Sequence, residues 1–323
     1  MPANATKALI NEFPNVAEKI LELIFERRRL LPDEASISVD ESAETSHHIE
    51  KINNFIREQK PIHMILPAFP AKSPNRKKTL DIYPDKGEEL ALERLERLCR
   101  NIQKIYSPGA KLTICSDGRV FAEVVNIPDK HVTEYKYDLI NRIASNYPET
   151  FDFFDLDDFY TGISNYDILR EELMIEFGEP LRDLKERCKT EKPAAEMYKG
   201  ICRFLVEDFS GLEEFEGYSK TQILNMARVN AYRVIQRSNA WTRLLAQKFE
   251  KSIRLSIHPQ PKVSEKIGIY LLEADNVWRT PWHSVVIHNA NGYTLVPRHI
   301  AESKNALLVF ENGRPSHFKD THA

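Results

Sequence analysis

The sequence predicts an α/β fold, in which a mainly parallel sheet is flanked by helices and interrupted by a helical insertion. From residue 61, short apolar or β-branched runs alternate with amphipathic helical segments, as in successive βαβ units. Residues from about 165 to 250 follow a helical pattern almost throughout, and strand-like runs resume after them. Strands on both sides of a helical stretch indicate one α/β unit that carries an insertion.

Residues 1–60 form a predicted N-terminal helical segment ahead of the α/β domain, residues 61–323. Apolar residues in this segment are three and four positions apart on one stripe: Ile10, Phe13, Ala17, Ile20 and Ile24. Pro32 ends this pattern, and a second helix is predicted from Asp40 toward Gln59.

Strands and helices alternate in the first half of the α/β domain. Each predicted strand is a short run that stops at a proline, a glycine or a polar turn. In chain order, the predicted elements are strand Ile62–Leu66, helix Glu88–Tyr106, strand Lys111–Cys115, helix His131–Ser145 and strand Phe151–Phe159.

The second half begins with the helical insertion at about 165–250. Its longest predicted helix is Thr221–Glu250, with one apolar stripe along its length. Three strands are predicted after it: Ser252–His258, Ser284–His288 and Ala306–Phe310. We expect them to continue the sheet that the first half begins.

The composition is that of a soluble globular protein, with 42% hydrophobic and 29% charged residues. A net charge of −3 gives no bulk positive field that would attract nucleic acid or an anionic membrane. No export signal precedes the first helix, and no apolar run approaches the roughly 20 residues that span a bilayer. The widely spaced cysteines Cys99, Cys115, Cys188 and Cys202 are predicted to be reduced and mostly buried. We therefore expect a cytoplasmic protein.

Several common cofactor and hydrolase motifs do not occur in the sequence. There is no GxGxxG after a strand, no GxxxxGK[ST], no GxSxG and no HExxH. His283 and His288 are five residues apart, so on a strand they would face opposite sides and could not share a metal. We predict that the protein needs no metal and no nicotinamide or other redox cofactor.

A basic loop, Phe69–Lys78, follows the first predicted strand. Prolines at positions 70 and 74 prevent regular helix or ladder pairing, so the backbone leaves the sheet as a shaped loop. Its cations are Lys72, Arg76, Lys77 and Lys78. Ligands of open α/β sheets bind beyond the carboxyl ends of the strands. The loop therefore indicates a site for a phosphate or a carboxylate, although a solvated basic turn is an open alternative.

Three further polar clusters stand at predicted strand ends. In Ser116–Phe121 a glycine permits a tight turn that leaves Asp117 and Arg119 side by side, and a surface ion pair is the alternative. The second cluster is Arg254–Gln260. Period two places Arg254, Ser256 and His258 on one face of a strand that is apolar on the other, which favours contact with a ligand. The third cluster comprises Thr280–His283, Arg298 and Gly313–Phe318, with Arg314.

These clusters, in this order, resemble the isonitrile (isocyanide) synthase family, the pyoverdine/dityrosine biosynthesis proteins. The resemblance covers roughly residues 60–320. It rests on Phe69–Asn75 with Lys78, Pro84-Asp85 and Glu88, and on Ser116–Phe121, Ser256–Gln260, Thr280–His283 and Gly313–Phe318. Asp81 departs from the expected glycine, which affects the loop conformation, and Glu123 replaces an aspartate and keeps its charge.

The resemblance implies a Rossmann-like fold and an enzyme without a redox cofactor. Members of the family convert the α-amino group of tyrosine or tryptophan to an isonitrile, whose carbon comes from the carbonyl carbon of ribulose 5-phosphate. It also implies small-molecule substrates and a product that is passed to a downstream oxygenase. A sugar phosphate needs a cationic loop, and imine formation needs positioned acids and bases.

On this basis we assign Lys72, Ser73 and Lys78 to the sugar phosphate and Arg254 or Arg298 to the amino-acid carboxylate. The acid and base candidates are Asp117, His258 and His283, with Arg119 orienting Asp117 or binding an anion. Asn75 and Arg314 complete the predicted substrate-binding set. A transient imine on Lys266 or Lys72 stays open as an alternative.

Two other functions are compatible with these residues. The same cations would serve a different sugar-phosphate transferase or lyase. They would also serve a non-catalytic regulator that binds a phosphorylated metabolite. The titratable strand Arg254–His258 counts against the regulator, because a binding protein needs no titrating group beside a phosphate.

Overall fold

A parallel sheet of five strands lies at the centre of the structure, a computed structural model that describes residues 16–34 and 38–321. Its strands run in the order β3-β2-β1-β4-β5, and all neighbours are parallel. The strands are β1 (Ile62–Pro67), β2 (Ala110–Cys115), β3 (Phe151–Phe154), β4 (Ile253–Ser256) and β5 (Lys266–Gly268). The predicted α/β fold with a mainly parallel sheet is therefore confirmed.

Helices cover both faces of this sheet. They are α1 (residues 16–25), α2 (Glu41–Arg57), α3 (Lys86–Ile105), α4 (Gly118–Phe121), α5 (Asp129–Asp138), α6 (Leu156–Phe159), α7 (Tyr166–Phe177), α8 (Leu181–Thr190), α9 (Lys192–Phe209), α10 (Lys220–Lys248) and α11 (Arg298–Ser303). On one face, Met64 and Leu66 pack in a core with residues of α1, α2 and α3. On the other, Ile65 and Phe154 pack against α7 and α10. None of the helices within 16–34 and 38–321 is long and apolar enough to cross a membrane.

The N-terminal helices share a core with the sheet. Ala17, Ile20 and Ile24 of α1 are fully buried, as their spacing predicts, whereas Ile10 and Phe13 lie outside the described residues. In the predicted insertion, α7 to α10 occupy residues 166–248. The division of the chain into an N-terminal segment and a domain with an insertion stays a prediction.

A second sheet of four strands was not predicted. It consists of β6 (Val285–Asn289), β7 (Gly292–Val296), β8 (Leu307–Glu311) and β9 (Arg314–Lys319), in the order β7-β6-β9-β8. The strands predicted at Ser284–His288 and Ala306–Phe310 lie here, so their assignment to the main sheet was wrong. The reason is local pairing in hairpins: Asn312 and Gly313 both have positive φ, as the two-residue turn between β8 and β9 requires.

Three predicted elements end earlier than their patterns suggested. The strand predicted at Phe151–Phe159 stops at Phe154 because Asp155 accepts hydrogen bonds from the backbone of Asp157 and Asp158 and so caps α6. The helix predicted over residues 131–145 is regular only to Asp138 and continues as π and 3₁₀ turns. Strand β4 ends at Ser256, two residues before His258.

Candidate active site

The strand order reverses between β1 and β4, and this reversal defines the candidate site. The chain leaves β1 toward β2 on one side, and β4 and β5 lie on the other. At such a switch point the connections diverge and leave a crevice beyond the carboxyl ends of the strands. The basic loop follows β1 there and His258 follows β4, whereas Asp117 follows β2. Asp117 and His258 therefore flank the basic loop.

The basic loop is fixed in place by its backbone. Ser116 Oγ donates a hydrogen bond to the carbonyl oxygen of Phe69 (3.0 Å), and the Ser73 amide donates to that of Trp282 (3.0 Å). A Cβ atom at Gly118 would lie 2.0 Å from the carbonyl oxygen of Pro70, so only glycine allows this approach. The basic loop is thus in direct contact with the turn after β2, through Ser116 and Gly118, and with the segment before β6, through Trp282.

Lys72 lies inside the protein and its donors are satisfied. Its side chain is 0% exposed, and Nζ is 2.7 Å from Asp85 Oδ2, 3.0 Å from Glu88 Oε2 and 3.0 Å from the carbonyl oxygen of Pro281. An ammonium has three donors, and these three acceptors use all of them. Burial alone would lower the pKa of Lys72, but the charges of Asp85 and Glu88 raise it, so the lysine stays protonated. This geometry leaves no donor for a sugar phosphate.

The two carboxylates beside Lys72 also hold the start of α3. Asp85 Oδ1 accepts from the Gly87 amide (2.8 Å), and Glu88 Oε2 accepts from the Asp85 amide (3.0 Å), which forms a capping box. Tyr135 OH donates to Glu88 Oε1 (3.2 Å). Burial and the charge of Glu88 raise the pKa of Asp85 to about 7, although Lys72 lowers it. Asp85 and Glu88 belong to the motif of the basic loop, but the sequence did not indicate that they neutralise its lysine.

The rest of the basic loop is bound to the end of α9, through Asp208. Ser73 Oγ lies 3.2 Å from both carboxylate oxygens of Asp208, and Lys78 Nζ lies 2.9 Å from Oδ1. Asn75 Nδ2 donates to the carbonyl oxygens of Glu207 and Asp208. Asp208 was not among the predicted site residues, because no pattern in the helical insertion distinguishes it from the other acids there.

Arg119 does not lie beside Asp117, so the expected pairing was wrong. Its guanidinium donates to the carbonyl oxygen and Oδ1 of Asp129 (2.8 and 3.0 Å) and to Thr133 Oγ1 (2.8 Å). It also lies 3.7 Å from the centroid of the Tyr166 ring. The turn becomes the first turn of α4, which directs Arg119 toward α5 and α7.

Arg298 and Arg314 are likewise bound to other protein groups. Arg298, at the start of α11, donates to the carbonyl oxygens of Arg76 and Thr79 (2.7 and 2.9 Å) and so holds the end of the basic loop. Arg314 pairs with Asp138 (2.9 Å) and covers the ring of Tyr83. These contacts bind Arg298 to the basic loop region and Arg314 to the end of α5, so both arginines have structural partners.

Asp117 is a carboxyl group without an ionic partner among the described residues. It precedes α4 but makes no side-chain cap, and the described part of the chain places no cation against it. Burial raises the pKa of Asp117 to about 7, and its own backbone amide opposes this only in part. A half-buried carboxyl group with this pKa carries a proton below neutral pH and can donate it.

His258 lies two residues beyond the end of β4, on the β4 side of the crevice. Its ring is accessible to solvent, yet protein surrounds it, and this environment together with the charges of Arg29 and Lys266 lowers its pKa. The ring centroid lies 5.9 Å from that of Trp278. A neutral imidazole open to solvent can accept a proton.

His283 lies in the 3₁₀ turn Pro281–His283 on the other side of the crevice. Its Nδ1 is buried and has no hydrogen-bond partner among the residues described, and its ring contacts the edge of Phe204 at 4.8 Å. Burial lowers the pKa of His283 to about 4, the charge of Asp208 opposes this, and the charges of Lys78 and Lys72 add to it. His283 therefore lies beside the basic loop and Asp208.

Arg254 and Lys266 form a pair of cations on β4 and β5, of which Lys266 influences His258. They are paired in register on neighbouring strands, so their side chains share a face of the sheet. The acid nearest to Arg254 is Glu265 (3.4 Å), whose side chain is 75% exposed. Burial and the charge of Arg254 lower the pKa of Lys266, and burial also lowers that of Arg254. Two half-buried cations with so little neutralisation favour an anionic ligand.

A groove of about 470 Å³ lies on the outer side of the basic loop. Its lining residues include Asn75, Lys77, Lys78, Arg298 and His299. Lys77 is exposed and no described acid pairs with it, whereas Lys78 reaches Asp208 and influences His283. Glu207 and Glu302 also line the groove and pair with Lys78 (3.4 Å) and Arg298 (2.8 Å), so the exposed Lys77 carries the positive charge that the groove offers to a ligand. The Arg254–Lys266 pair offers positive charge on the side of β4 and β5.

All four cysteines are buried and free, as predicted. Within 16–34 and 38–321, no group of three or more histidine, cysteine, aspartate or glutamate side chains is arranged to hold a metal ion. The prediction that the protein needs no metal or redox cofactor stays a prediction.

Comparisons with known proteins identify the family of the chain. The family model "Pyoverdine/dityrosine biosynthesis protein" matches residues 52–309. An L-tryptophan isonitrile synthase of Fischerella ambigua is 42% identical over 94% of this chain and 91% of its own length. An L-tyrosine isonitrile synthase of Pseudomonas aeruginosa is 40% identical over 94% of this chain and 93% of its own. The crystal structure of the PvcA protein from Pseudomonas aeruginosa superposes with a TM-score of 0.85 at 38% identity, over 94% of this chain and 99% of that one. The chain therefore belongs to the pyoverdine/dityrosine biosynthesis family, which includes the isonitrile synthases.

Proposed function

We propose that this protein is an isonitrile synthase that converts the α-amino group of an aromatic amino acid, tyrosine or tryptophan, to an isonitrile. The observation that carries the proposal is similarity over almost the whole chain. Relatives named L-tryptophan and L-tyrosine isonitrile synthases align with 94% of it at 42% and 40% identity. The carbon donor in this proposal is ribulose 5-phosphate. Two separate groups of cations around one crevice support this, because one can bind the amino-acid carboxylate and the other the sugar phosphate.

The amino acid binds on the side of β4 and β5. Its carboxylate pairs with Arg254 and Lys266, which have little acid of their own to neutralise them. Its amino group then lies near His258, whose pKa is lowered by burial and by the charges of Arg29 and Lys266. Of the two arginines considered from the sequence, Arg254 takes this role, because Arg298 is bound to the basic loop.

The sugar phosphate binds on the opposite side. Its phosphate lies in the groove beside Lys77 and Lys78, where Asn75 also lines the wall. Lys72 and Ser73 support this wall from inside through Asp85, Glu88 and Asp208 rather than by direct contact. The ketone of the sugar then points toward His283 and the centre of the crevice.

The first chemical step in this proposal is imine formation. His258 takes a proton from the substrate ammonium, and the freed amine nitrogen attacks the ketone carbon. Asp117, protonated below about pH 7, donates a proton to the hydroxyl group that leaves as water. Asp117, with its protonated carboxyl group, is thus the acid, and His258, with its neutral imidazole, is the base.

Incubation with ribulose 5-phosphate and each aromatic amino acid, with mass spectrometry of the product, tests this proposal. We expect an isonitrile from tyrosine or tryptophan, formed in the presence of a chelator and without nicotinamide, which a downstream oxygenase would then use. The variant His258→Asn is expected to fold and to lose about a hundredfold or more in turnover. Release of a different product would favour another sugar-phosphate lyase or transferase. Binding of ribulose 5-phosphate without any product would favour a regulator.

A further inference from the structure

Trp278 is exposed, whereas the other two tryptophans of the chain are buried. Trp241 and Trp282 are 2% and 3% exposed, and Trp278 is 57% exposed. Leaving so large an apolar ring in water forgoes the hydrophobic stabilisation that burial gives. Single exposed apolar residues are common, and Trp278 is set apart from the others by its position against His258.

The loop that carries Trp278 is held in one shape. The Trp278 amide donates to Asn276 Oδ1 (2.9 Å), and Arg279 pairs with Asp275 across the turn (2.8 Å). Arg29 Nη1, from the N-terminal segment, donates to the carbonyl oxygen of Val277 (2.6 Å). The backbone that carries the ring is therefore fixed, which reduces the entropy cost of binding.

The ring of Trp278 faces the catalytic side of the crevice. Its centroid lies 5.9 Å from that of His258, with the two planes at 41°. The same Arg29 nitrogen also donates to the carbonyl oxygen of Ile257, so one guanidinium positions both rings. Lys266, assigned above to the carboxylate, lies close enough to His258 to lower its pKa.

We propose that Trp278 stacks on the side chain of the substrate amino acid and gives the enzyme its preference for aromatic over aliphatic amino acids. This inference rests on the proposed function and adds the subsite for the side chain. With the carboxylate on Arg254 and Lys266 and the amino group at His258, the side chain extends toward the indole. Aromatic rings prefer such offset or tilted contacts. Phe204, at the other side, is already occupied by Lys78 and His283.

A binding measurement tests the proposal without any turnover. Acrylamide quenches exposed tryptophans, so it reports mainly on Trp278 here. We expect tyrosine and phenylalanine to protect the fluorescence from quenching, with excitation restricted to tryptophan, and leucine to give no protection. Trp278→Phe removes the exposed reporter and should abolish the effect.

Kinetics provide the second arm. Trp278→Ala should raise KM for the aromatic amino acid about tenfold and leave KM for ribulose 5-phosphate unchanged, whereas Trp278→Phe should restore most of the affinity. Tyr137→Ala, at an exposed aromatic residue on α5, is the matched control and should change neither constant.

The proposal is overturned if the wild type makes an isonitrile but aromatic amino acids give no protection. An equal rise of both KM values in Trp278→Ala would also overturn it, because the ring would then support the crevice as a whole. If no isonitrile forms at all, the proposed function fails, and the quenching arm alone decides whether Trp278 binds an aromatic ligand.

Discussion

At the scale of single residues, Asp117 combines a partly open position with a raised pKa. Buried carboxyl groups in proteins usually pair with a cation, as Asp85 does with Lys72. Asp117 has no such partner among the described residues, and burial raises its pKa to about 7. A carboxyl group kept in this state costs stability, which a structural role would not require. The residue is therefore our candidate for the proton donor.

Asp117→Asn should lower turnover by about a hundredfold while the protein stays folded. In the wild type, kcat/KM should fall above about pH 7 as Asp117 loses its proton, and the variant should lack this limb. Asp183→Asn on exposed α8 is the control and should keep the wild-type profile. Persistence of the limb in Asp117→Asn would assign it to another group.

The same raised pKa predicts a change in stability. The folded state binds the proton of Asp117 more tightly than the unfolded state. The wild type therefore loses stability as pH rises from the ordinary value of 3.8 through about 7. Asparagine does not titrate, so the variant should lack this loss. The free energy of unfolding of the variant minus that of the wild type should therefore be larger at pH 8 than at pH 5. Denaturant unfolding at the two pH values measures this difference.

At the scale of elements, the basic loop is held between two helix ends. Asp85 and Glu88 at the start of α3 bind Lys72, and Asp208 at the end of α9 binds Ser73 and Lys78. Lys72 and Lys78, which were predicted to bind a phosphate, thus stabilise the loop itself. Lys77 is exposed and lines the groove.

Lys72→Met should lower the free energy of unfolding by about 3–5 kcal/mol, because it leaves Asp85 and Glu88 buried side by side without their cation. Denaturant unfolding measures the loss. Lys77→Met, five residues further along the same loop and exposed, should change stability by less than about 0.5 kcal/mol. If Lys72→Met instead keeps its stability and raises only KM for the sugar phosphate, Lys72 contacts the substrate directly.

The sequence predicted four of the five strands of the main sheet and the positions of its polar clusters, but not β5, which has only three residues, nor which cations are neutralised. Strands β1 and β2 and helix α3 follow from local spacing of apolar residues and from turns, so they were predicted to within a few residues. The partners of Lys72 and Lys78 come from distant helices, and only the tertiary fold brings Asp208 to the loop. The second sheet was not predicted because its strands are short. Two of them, β7 and β9, carry polar residues that interrupt the apolar pattern typical of a strand.

At the scale of the whole molecule, the crevice depends on the N-terminal segment. Residues 28 and 30 form isolated bridges with the chain around β5, and the Arg29 backbone exchanges hydrogen bonds with Gly268 and Gln260. The side chain of Arg29 then reaches the ends of two distant segments, at Ile257 and Val277. Although this segment precedes the motifs of the family, it anchors the side of the crevice that carries His258.

Arg29→Met should therefore weaken both the fold and the binding of the amino acid. Two carbonyl groups lose a charged donor, at a cost of about 1–3 kcal/mol for each group left without a partner. His258 and Trp278 lose their common anchor, so KM for the aromatic amino acid should rise while KM for ribulose 5-phosphate stays near its wild-type value. Arg27→Met is the matched control, because the Arg27 guanidinium donates to the carbonyl oxygen of Leu23 and pairs with Glu26 (3.6 Å), both close to it in the sequence. Wild-type stability and kinetics in Arg29→Met would show that the crevice keeps its shape without the N-terminal segment.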